Sequence, residues 1–344
     1  VRTKQYWGIA KSYVVQSTRD AKASVRKAGV ETLGRIGHLK QAASLSALRE
    51  RLKDTNVEVR EAVVEAAGRI ARKAPVEAGM LLIALVSDPA PVVALRALIL
   101  ISRLSDKPAL QTALGVALPG ALGSPSEAVR SAALALLSRL PARKASKDLD
   151  RALAQAYQRA APGTARALVL AEAARHQATS ALAAAARSPY ADEQRNALAL
   201  IQRNPMASHA PTVVAALSRT DPGVRAAAVQ AAGPLLPKAP AQLLPPLLRM
   251  AGDPASPLQG AALEALGKAT TDLPNVRRRL VQAAQRADWN LRRSAARAFG
   301  HHPGGVKRLA PLLRDPALAV RRAAVQSLAR WWAARPADRL ARGV

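Results

Sequence analysis

The sequence predicts an all-α protein, a right-handed α-solenoid of about ten helical hairpins. Three observations lead to this prediction. A segment made of a turn and an amphipathic helix recurs along the whole chain, and a second amphipathic segment precedes nearly every copy. No stretch shows the sustained alternation of apolar and polar residues that predicts a β-strand. Each repeat is therefore expected to be helix A, a short turn, helix B and a second turn.

The clearest copy of the repeated segment runs from Asp54 to Ile70. After the turn, its apolar residues fall on one face of a helix: Val59, Val63, Ala66, Ala67 and Ile70. Further copies begin at Asp20, Ser124, Asp221 and Asp315, and more degenerate ones at Asp88, Asp253 and Asp288. Weaker copies run through residues 162–176 and 189–203. The period is roughly 33 residues, slightly shorter than that of the longer helical-repeat families.

The turn that opens each helix B has a physical explanation. An aspartate there can cap the helix by accepting its unpaired N–H groups, and a following proline, as in Asp221-Pro222, suits the first helical position. An arginine six residues later, such as Arg60, can reach back to this aspartate or to the equivalent one in the next repeat. We interpret these arginines as structural, with ligand binding as the alternative.

These residues resemble HEAT repeats, in particular the short bacterial HEAT-like form that is also seen in phycobilisome lyases. The spacing Asp-x5-Arg, at Asp20/Arg26, Asp54/Arg60 and Asp315/Arg321, carries the resemblance together with the Ala-Ala-x-x-Leu-Gly-like run that follows. It covers nearly the whole chain and implies stacked helical hairpins. Because the family includes scaffolds, transport adaptors, lyases, hydroxylases and nucleic-acid binders, the resemblance by itself does not imply one function.

The repeats predict one continuous solenoid over residues 1–332, followed by a C-terminal tail at 333–344. Proline breaks and shorter spacing make residues 159–220 irregular, and we expect a hinge there. The first helix, predicted over Thr3–Gln16, is bulkier than later ones, with Tyr6 and Trp7. This is typical of a terminal repeat that covers the open end of a stack, and the alternative is that it docks a partner.

Composition limits the chemistry of the protein. The 344 residues include no cysteine, which excludes disulfides, zinc–thiolate sites and thiol nucleophiles. The net charge is +29, and residues 273–344 alone contain 16 Lys and Arg against 3 Asp and Glu. Such a surface favours nucleic acid, anionic lipid headgroups or an acidic protein. The alternative explanation is the arginine enrichment of a GC-rich genome, but that does not explain the shortage of acids.

No stretch of eighteen uncharged apolar residues exists, so the sequence predicts no integral membrane segment. We expect a cytoplasmic protein. A bacterial protein that is exported and has lost its signal is the alternative.

Candidate binding residues concentrate in the last third of the chain. Trp289, Arg293 and Arg297 are four residues apart and share one helix face, which suits phosphate contact with cation–π support. The alternative is that Trp289 fills the seam between repeats. Of the adjacent Trp331 and Trp332, only one can face inward, so the other can dock a partner. The predicted partner- or polyanion-binding residues are Arg277, Arg278, Arg279, Trp289, Arg293, Arg297, Lys307, Arg308, Arg322, Trp331 and Trp332.

The sequence predicts no catalytic residue, no metal site, no cofactor and no small-molecule substrate. It contains no phosphate-binding loop, nucleophile elbow or zinc-protease motif. We interpret His301-His302 as a polar cap in a turn rather than a metal site. The segment Trp289-x-x-Arg292-Arg293-x-Ala295 resembles a helix of the alkylpurine DNA glycosylases built from HEAT-like repeats, which implies base excision. Those enzymes line their concave face with aromatic residues, whereas residues 74–272 here contain no Trp or Phe.

The sequence therefore favours a non-enzymatic HEAT-repeat scaffold that mediates protein–protein interaction as a subunit of a larger assembly. Its basic surface would hold acidic protein partners. The alternative is a nucleic-acid-binding HEAT-repeat protein, with Arg277–Arg279, Arg293 and Arg297 among its contacts.

Overall fold

A computed structural model describes residues 12–36 and 41–333, with the side chains of residues 41–44 left out. The described residues contain helices and turns but no strand, which confirms the all-α prediction. Most of the predicted first helix lies outside the described residues, as does the tail after residue 333. Residues 12–17 are helical and form the described part of α1. No described helix is long and apolar enough to cross a bilayer.

The chain divides into two compact units, Val1–Ala181 and Leu182–Val344. In both, odd-numbered helices are helices A and even-numbered helices are helices B. Unit 1 continues from α1 with α2 (Ala23–Ile36), α3 (Gln41–Arg51), α4 (Val57–Ile70), α5 (Pro75–Leu85), α6 (Pro91–Ser102), α7 (Pro108–Leu122), α8 (Glu127–Arg139), α9 (Lys147–Arg159) and α10 (Thr164–Arg175). Helix α11 (Ser180–Ala185) spans the boundary between the units. This boundary falls within the irregular segment 159–220.

Unit 2 continues the same alternation. It contains α12 (Ala191–Arg203), a 3-10 turn (Ala207–His209), α13 (Ala210–Leu217), α14 (Pro222–Leu235), α15 (Pro240–Gly252), α16 (Gln259–Leu266), α17 (Pro274–Ala284), α18 (Trp289–Phe299), α19 (Val306–Leu309), a second 3-10 turn (Pro311–Arg314) and α20 (Leu318–Ala333). Together the described helices pair into ten hairpins, which agrees with the number that the repeat period predicts.

Consecutive helices B pack directly on each other within each unit. In unit 1, α2, α4, α6 and α8 contact one another in order, and α12, α14, α16, α18 and α20 do so in unit 2. Small residues permit the close approach. A Cβ atom added to Gly34 of α2 would lie 2.7 Å from the Cα atom of Ala66 in α4. In unit 2, a Cβ atom on Gly267 would lie 2.5 Å from the carbonyl oxygen of Ala298.

The arginine near the start of helix B joins successive repeats. Arg60 of α4 donates from Nε and Nη2 to both carboxylate oxygens of Asp88 in the next repeat, at 2.7 and 2.9 Å. Its Nη1 donates to the backbone carbonyl of Asp54 in its own turn, at 2.7 Å. Arg26 repeats the arrangement with the carboxylate of Asp54, at 2.7 and 2.8 Å. These contacts support the structural interpretation of the repeated arginines.

Pairing shifts the pKa values of this ladder towards the charged forms, although burial acts in the opposite direction. The hydrogen bond from Arg26 lowers the pKa of Asp54, and the hydrogen bond to Asp88 raises the pKa of Arg60. Pairing therefore favours the charged forms of Asp54 and Arg60.

The prediction that the turn aspartate caps helix B holds only for some repeats. Asp221 caps α14 by accepting from the N–H of Val224 at 2.8 Å. For Asp54 the prediction is wrong, because Asn56 caps α4. The carboxylate of Asp54 instead accepts from the N–H of Asn56 at 3.0 Å and from Arg26, which leaves it two positions before the cap.

Candidate partner-binding groove

The helices B of unit 2 line a groove of about 750 Å³. Its walls come from the end of α12, from α14, α16 and α18, from the end of α20 and from the turn before α16. The charged side chains at the groove are Glu264, Lys268, Asp288, Arg293, Arg297 and Arg330. Four of these six are cations. With four cations against two carboxylates, the groove has an excess of positive charge.

The start of α18 carries an aromatic ring and a cation on one face. Asp288 caps the helix, which orients its first turn. Trp289 follows with 42% of its surface exposed, and the guanidinium carbon of Arg293 lies 5.0 Å from the centre of its ring. The four-residue spacing predicted this shared face. Stacking on the indole holds the Arg293 guanidinium in place while leaving the exposed ring available for a ligand.

One turn further along α18, Arg297 is held by an acid from the neighbouring helix. Its Nη1 lies 3.2 Å from Oε1 of Glu264 in α16, and the buried Ser294 hydroxyl donates to the same oxygen at 3.3 Å. Both side chains of the Arg297–Glu264 pair remain more than one third exposed. Because an exposed ion pair is weak, a ligand carboxylate or phosphate can compete for Arg297.

The far end of the groove contains two side chains from the ends of helices B. His301 follows α18, and its Nε2 lies 3.3 Å from Nη1 of Arg330 in α20. Burial lowers the pKa of His301, and the nearby charges of Arg330 and Lys268 lower it further. The neutral imidazole can therefore sit beside Arg330 without charge repulsion, and the cations remain the anion-binding groups.

Arg292 has a different function from the adjacent Arg293. It donates to both oxygens of Asp315 at 2.7 and 3.0 Å, and to the carbonyl of Arg286 at 2.9 Å. The hydrogen bond to Asp315 raises the pKa of Arg292. In the segment Trp289-x-x-Arg292-Arg293, therefore, Arg292 belongs to the ladder between repeats and only Arg293 faces the groove.

The predicted binding residues are not all brought together. Arg293 and Arg297 line the groove along α18, whereas Trp289 does not line it but stacks on Arg293 at the start of the helix. Arg277, Arg278 and Arg279 lie on α17, while Lys307 and Arg308 lie on α19, and both are helices A. None of these five lines the groove. Arg277 instead pairs with Asp272 at 2.5 Å, Arg279 bonds Gln282 at 3.3 Å, and Arg278 is exposed.

The remaining predicted residues lie on α20. Arg322 and Trp332 are exposed, and Trp331 is half-buried, so one of the two tryptophans is more accessible than the other. None of the three lines the groove.

Sequence reasoning missed Glu264, Lys268 and Arg330. A signal for the two cations is present, since each directly follows a small residue near the end of helix B, as in Gly267-Lys268 and Ala329-Arg330. His301, after Gly300, occupies the same repeat position. Within the described residues, no group of His, Asp or Glu side chains could hold a metal ion. His302, the neighbour of His301, is buried, and Asp272 lies 3.7 Å from its Nε2.

The comparisons with known proteins agree with the repeats. Residues 12–78 and 178–267 match the family model of HEAT repeats, so each unit contains matched repeats. A search of the curated proteins gave no match.

Solved structures of low identity also align with the chain. A crystal structure of an engineered protein is 18% identical at a TM-score of 0.36, covering 94% of this chain and 98% of that one. Importin beta in an ammonium sulfate condition is 15% identical at a TM-score of 0.40, covering 93% of this chain and 50% of that one. A Kap95:Nup1 complex is 14% identical at a TM-score of 0.43, covering 94% of this chain and 50% of that one. The chain thus spans about half the length of these two transport proteins, and TM-scores this low carry no functional argument.

Proposed function

The chain is a HEAT-repeat protein, and on that premise we propose that it is a non-enzymatic scaffold that holds an acidic segment of a protein partner in the groove of unit 2. HEAT repeats in general support protein interaction, because stacked hairpins present an extended surface rather than a closed cavity. Partner binding of this kind suits a subunit of a larger assembly.

One observation carries the proposal: the excess of cations in a groove formed by helices B. Lys268, Arg293 and Arg330 have no carboxylate partner within ion-pair distance among the described residues, and Arg297 has only an exposed one. Unpaired cations on neighbouring helices repel each other, which costs stability unless a ligand neutralises them. A run of Asp and Glu side chains supplies that neutralisation.

The groove geometry favours a chain over a small molecule. Its lining residues come from several consecutive repeats, and it contains few large apolar side chains. Small-molecule sites are mostly apolar with few polar groups, which is the opposite composition. An extended peptide can instead place successive side chains against successive helices.

The proposal is tested by affinity purification from native extract with full-length protein, at low salt and at about 0.5 M salt, with and without nuclease. The double variant Arg293→Glu/Arg297→Glu reverses the groove charge. Arg278→Glu is the matched control, because it reverses an exposed charge on helix A of the same unit.

We expect a stoichiometric protein partner that survives nuclease, is lost with the double variant and is retained by Arg278→Glu. Circular dichroism verifies that all variants are folded. A partner that binds the double variant as well as the unchanged protein would contradict the groove proposal.

Nucleic-acid binding is the second candidate function, and the stacked Trp289–Arg293 pair favours it. An exposed indole beside a guanidinium can stack on a base while the cation contacts phosphate. Fluorescence anisotropy with a single-stranded oligonucleotide tests it. If this function is correct, the affinity falls steeply with salt through counterion release, and Trp289→Ala weakens it more than Trp332→Ala does.

A further inference from the structure

Unit 1 carries its own row of cations at the ends of helices B. Arg35 and Arg69 lie in the last turns of α2 and α4, Arg103 follows α6 directly, and Arg139 ends α8. Each comes after a glycine or serine at the equivalent repeat position. Because α2, α4, α6 and α8 contact one another in order, these four cations follow each other along one edge of the unit. We name Arg35, Arg69, Arg103 and Arg139 the end row.

The end row is exposed, and its middle members are not neutralised. Among the described residues, neither Arg69 nor Arg103 forms an ion pair with a carboxylate. Exposure alone does not explain why Arg69 and Arg103 form no ion pair. Two other exposed cations of the same helices, Lys27 and Arg96, reach Glu58 and Glu65 at 2.9 and 3.2 Å. Glutamates of a neighbouring repeat therefore neutralise cations along these helices, but not the cations at their C-terminal ends.

Two further cations enlarge the row at α4. Arg72 and Lys73, in the turn that follows the helix, are exposed and have no carboxylate partner among the described residues. Together with Gly34, Arg35 and Arg69 they enclose a cavity of about 430 Å³. One cation at a helix end is explained by the helix dipole, which attracts positive charge to the C-terminal carbonyls. The dipole does not explain three adjacent unpaired cations.

The spacing of the row identifies the shape of a matching ligand. Packed helices lie roughly 8–10 Å apart, so successive row members stand about that far from each other. A polypeptide in the extended polyproline II conformation has three residues per turn and rises about 3.1 Å per residue, so every third side chain faces the same side and meets one row member. Single-stranded nucleic acid is a poorer match, since residues 14–156 contain no aromatic residue on which a base could stack.

We propose that the end row of unit 1 binds an acidic peptide segment of a protein partner in the extended polyproline II conformation, with a carboxylate at about every third residue. This second surface rests on the proposed scaffold function but uses a different unit from the groove. Arg69, Arg72 and Lys73 hold one carboxylate in their cavity, and Arg103 holds the next. Arg139 donates to the carbonyl of Ser102 at 3.2 Å, which fixes the end of α6 beside Arg103.

The test uses full-length protein and two fluorescein-labelled peptides of about twelve residues, a length that spans four repeats at the polyproline II rise of about 3.1 Å per residue. Both contain four glutamates among serines and glycines. One has a glutamate at every third position, and the other has all four together. Anisotropy titrations compare the unchanged protein with Arg69→Gln, Arg103→Gln and Lys53→Gln. Lys53 is the matched control, because it is exposed and lies in the turn before α4, away from the row.

We expect the spaced peptide to bind about five- to tenfold more tightly than the clustered one, and each row variant to weaken it about threefold or more. Lys53→Gln should bind as the unchanged protein does. Titrations are repeated in the Arg293→Glu/Arg297→Glu background, where the result should be the same. If the peptide loses affinity only in the Arg293→Glu/Arg297→Glu background, it binds in the groove. That result would overturn the end-row proposal and support the proposed function.

Three other results would overturn the proposal. Equal affinity for the two peptides, or an equal loss in Lys53→Gln, would indicate unspecific charge attraction. Failure of both peptides to bind at low salt would exclude acidic peptides as the ligand of the end row. An oligothymidylate of the same charge that binds more tightly than the spaced peptide, and is lost in the row variants, would assign the row to nucleic acid.

Discussion

Arg60 and Arg69 lie at the two ends of the same helix, α4, and have opposite environments. Arg60 is 8% exposed, both oxygens of Asp88 accept its hydrogen bonds, and a turn carbonyl accepts a third. Arg69 is exposed and has no carboxylate partner among the described residues. The neighbouring repeat supplies an acid at one end of the helix and none at the other. In α4, arginine therefore joins repeats at the start of the helix and is available to a partner at its end.

The comparison shows why net charge is a poor guide to binding residues in this protein. Several of the positive charges are used internally, as at Arg26, Arg60 and Arg292. Others, such as Arg69 and Arg103, lie at helix ends and form no ion pair with a carboxylate among the described residues. In unit 2 the same contrast separates Arg292 from Arg293, which are adjacent in sequence but face an aspartate and the groove respectively.

The largest expected effect on stability is that of Arg60→Ala. It leaves the Asp88 carboxylate, whose side chain is only 4% exposed, without its counter-charge, so the free energy of unfolding should fall by about 3 kcal/mol. Urea denaturation followed by circular dichroism measures this. A double-mutant cycle with Asp88→Ala separates the pair from the lost packing. A change as small as that of an exposed arginine would show that the ladder is not structural.

The second effect comes from the small residue that precedes the end-row cation. Gly34→Ala places a methyl group against the backbone of Ala66, and overpacking of this kind costs about 1–3 kcal/mol. Gly115→Ala in α7 is the matched control, because a Cβ atom there meets nothing within 4 Å. Removing a helical glycine at that site should stabilise the protein by about 0.5–1 kcal/mol. Equal melting temperatures for the two variants would contradict the close packing of α2 and α4.

A third prediction concerns the free energy of unfolding at acid pH. Hydrogen bonds from Arg26 and Arg292 lower the pKa values of Asp54 and Asp315 in the folded state. The stability that this provides is fully present above the ordinary Asp pKa of about 3.9, and is lost as the pH falls through the lowered values. Asp315→Asn should therefore make stability less dependent on pH below about pH 5. Asp192→Asn, at an exposed site, is the control, and matching acid profiles for the two variants would refute the linkage.

The smallest expected effect is that of Arg69→Gln and Arg103→Gln on stability. Since neither side chain forms an ion pair with a described carboxylate, the free energy of unfolding should change by less than about 0.5 kcal/mol. This result, set against the loss for Arg60→Ala, would complete the comparison between the two ends of helix B. A destabilisation near that of Arg60→Ala would instead assign the end row to folding.

Much of the fold could be predicted from the sequence, because a helical hairpin is a local structure. The spacing of Val59, Val63 and Ile70 defines a buried helix face whatever surrounds it. The four-residue spacing of Trp289 and Arg293 likewise placed both on one face, where the two side chains stack. The position of Asn56 shows the limit of such reasoning, since it caps α4 where Asp54 was expected to do so.

The sequence by itself determined the repeating hairpins, the turn chemistry and the arginine six residues after the turn aspartate, because these depend on contacts between residues close in the chain. Only the tertiary structure decided which cations are neutralised. Asp88 reaches Arg60, Asp315 reaches Arg292 and Glu264 reaches Arg297 across a boundary between repeats. It also left Arg277 outside the groove and placed Lys268 in it. Such contacts follow from how neighbouring hairpins pack, and that packing cannot be predicted from the spacing of residues within a single helix.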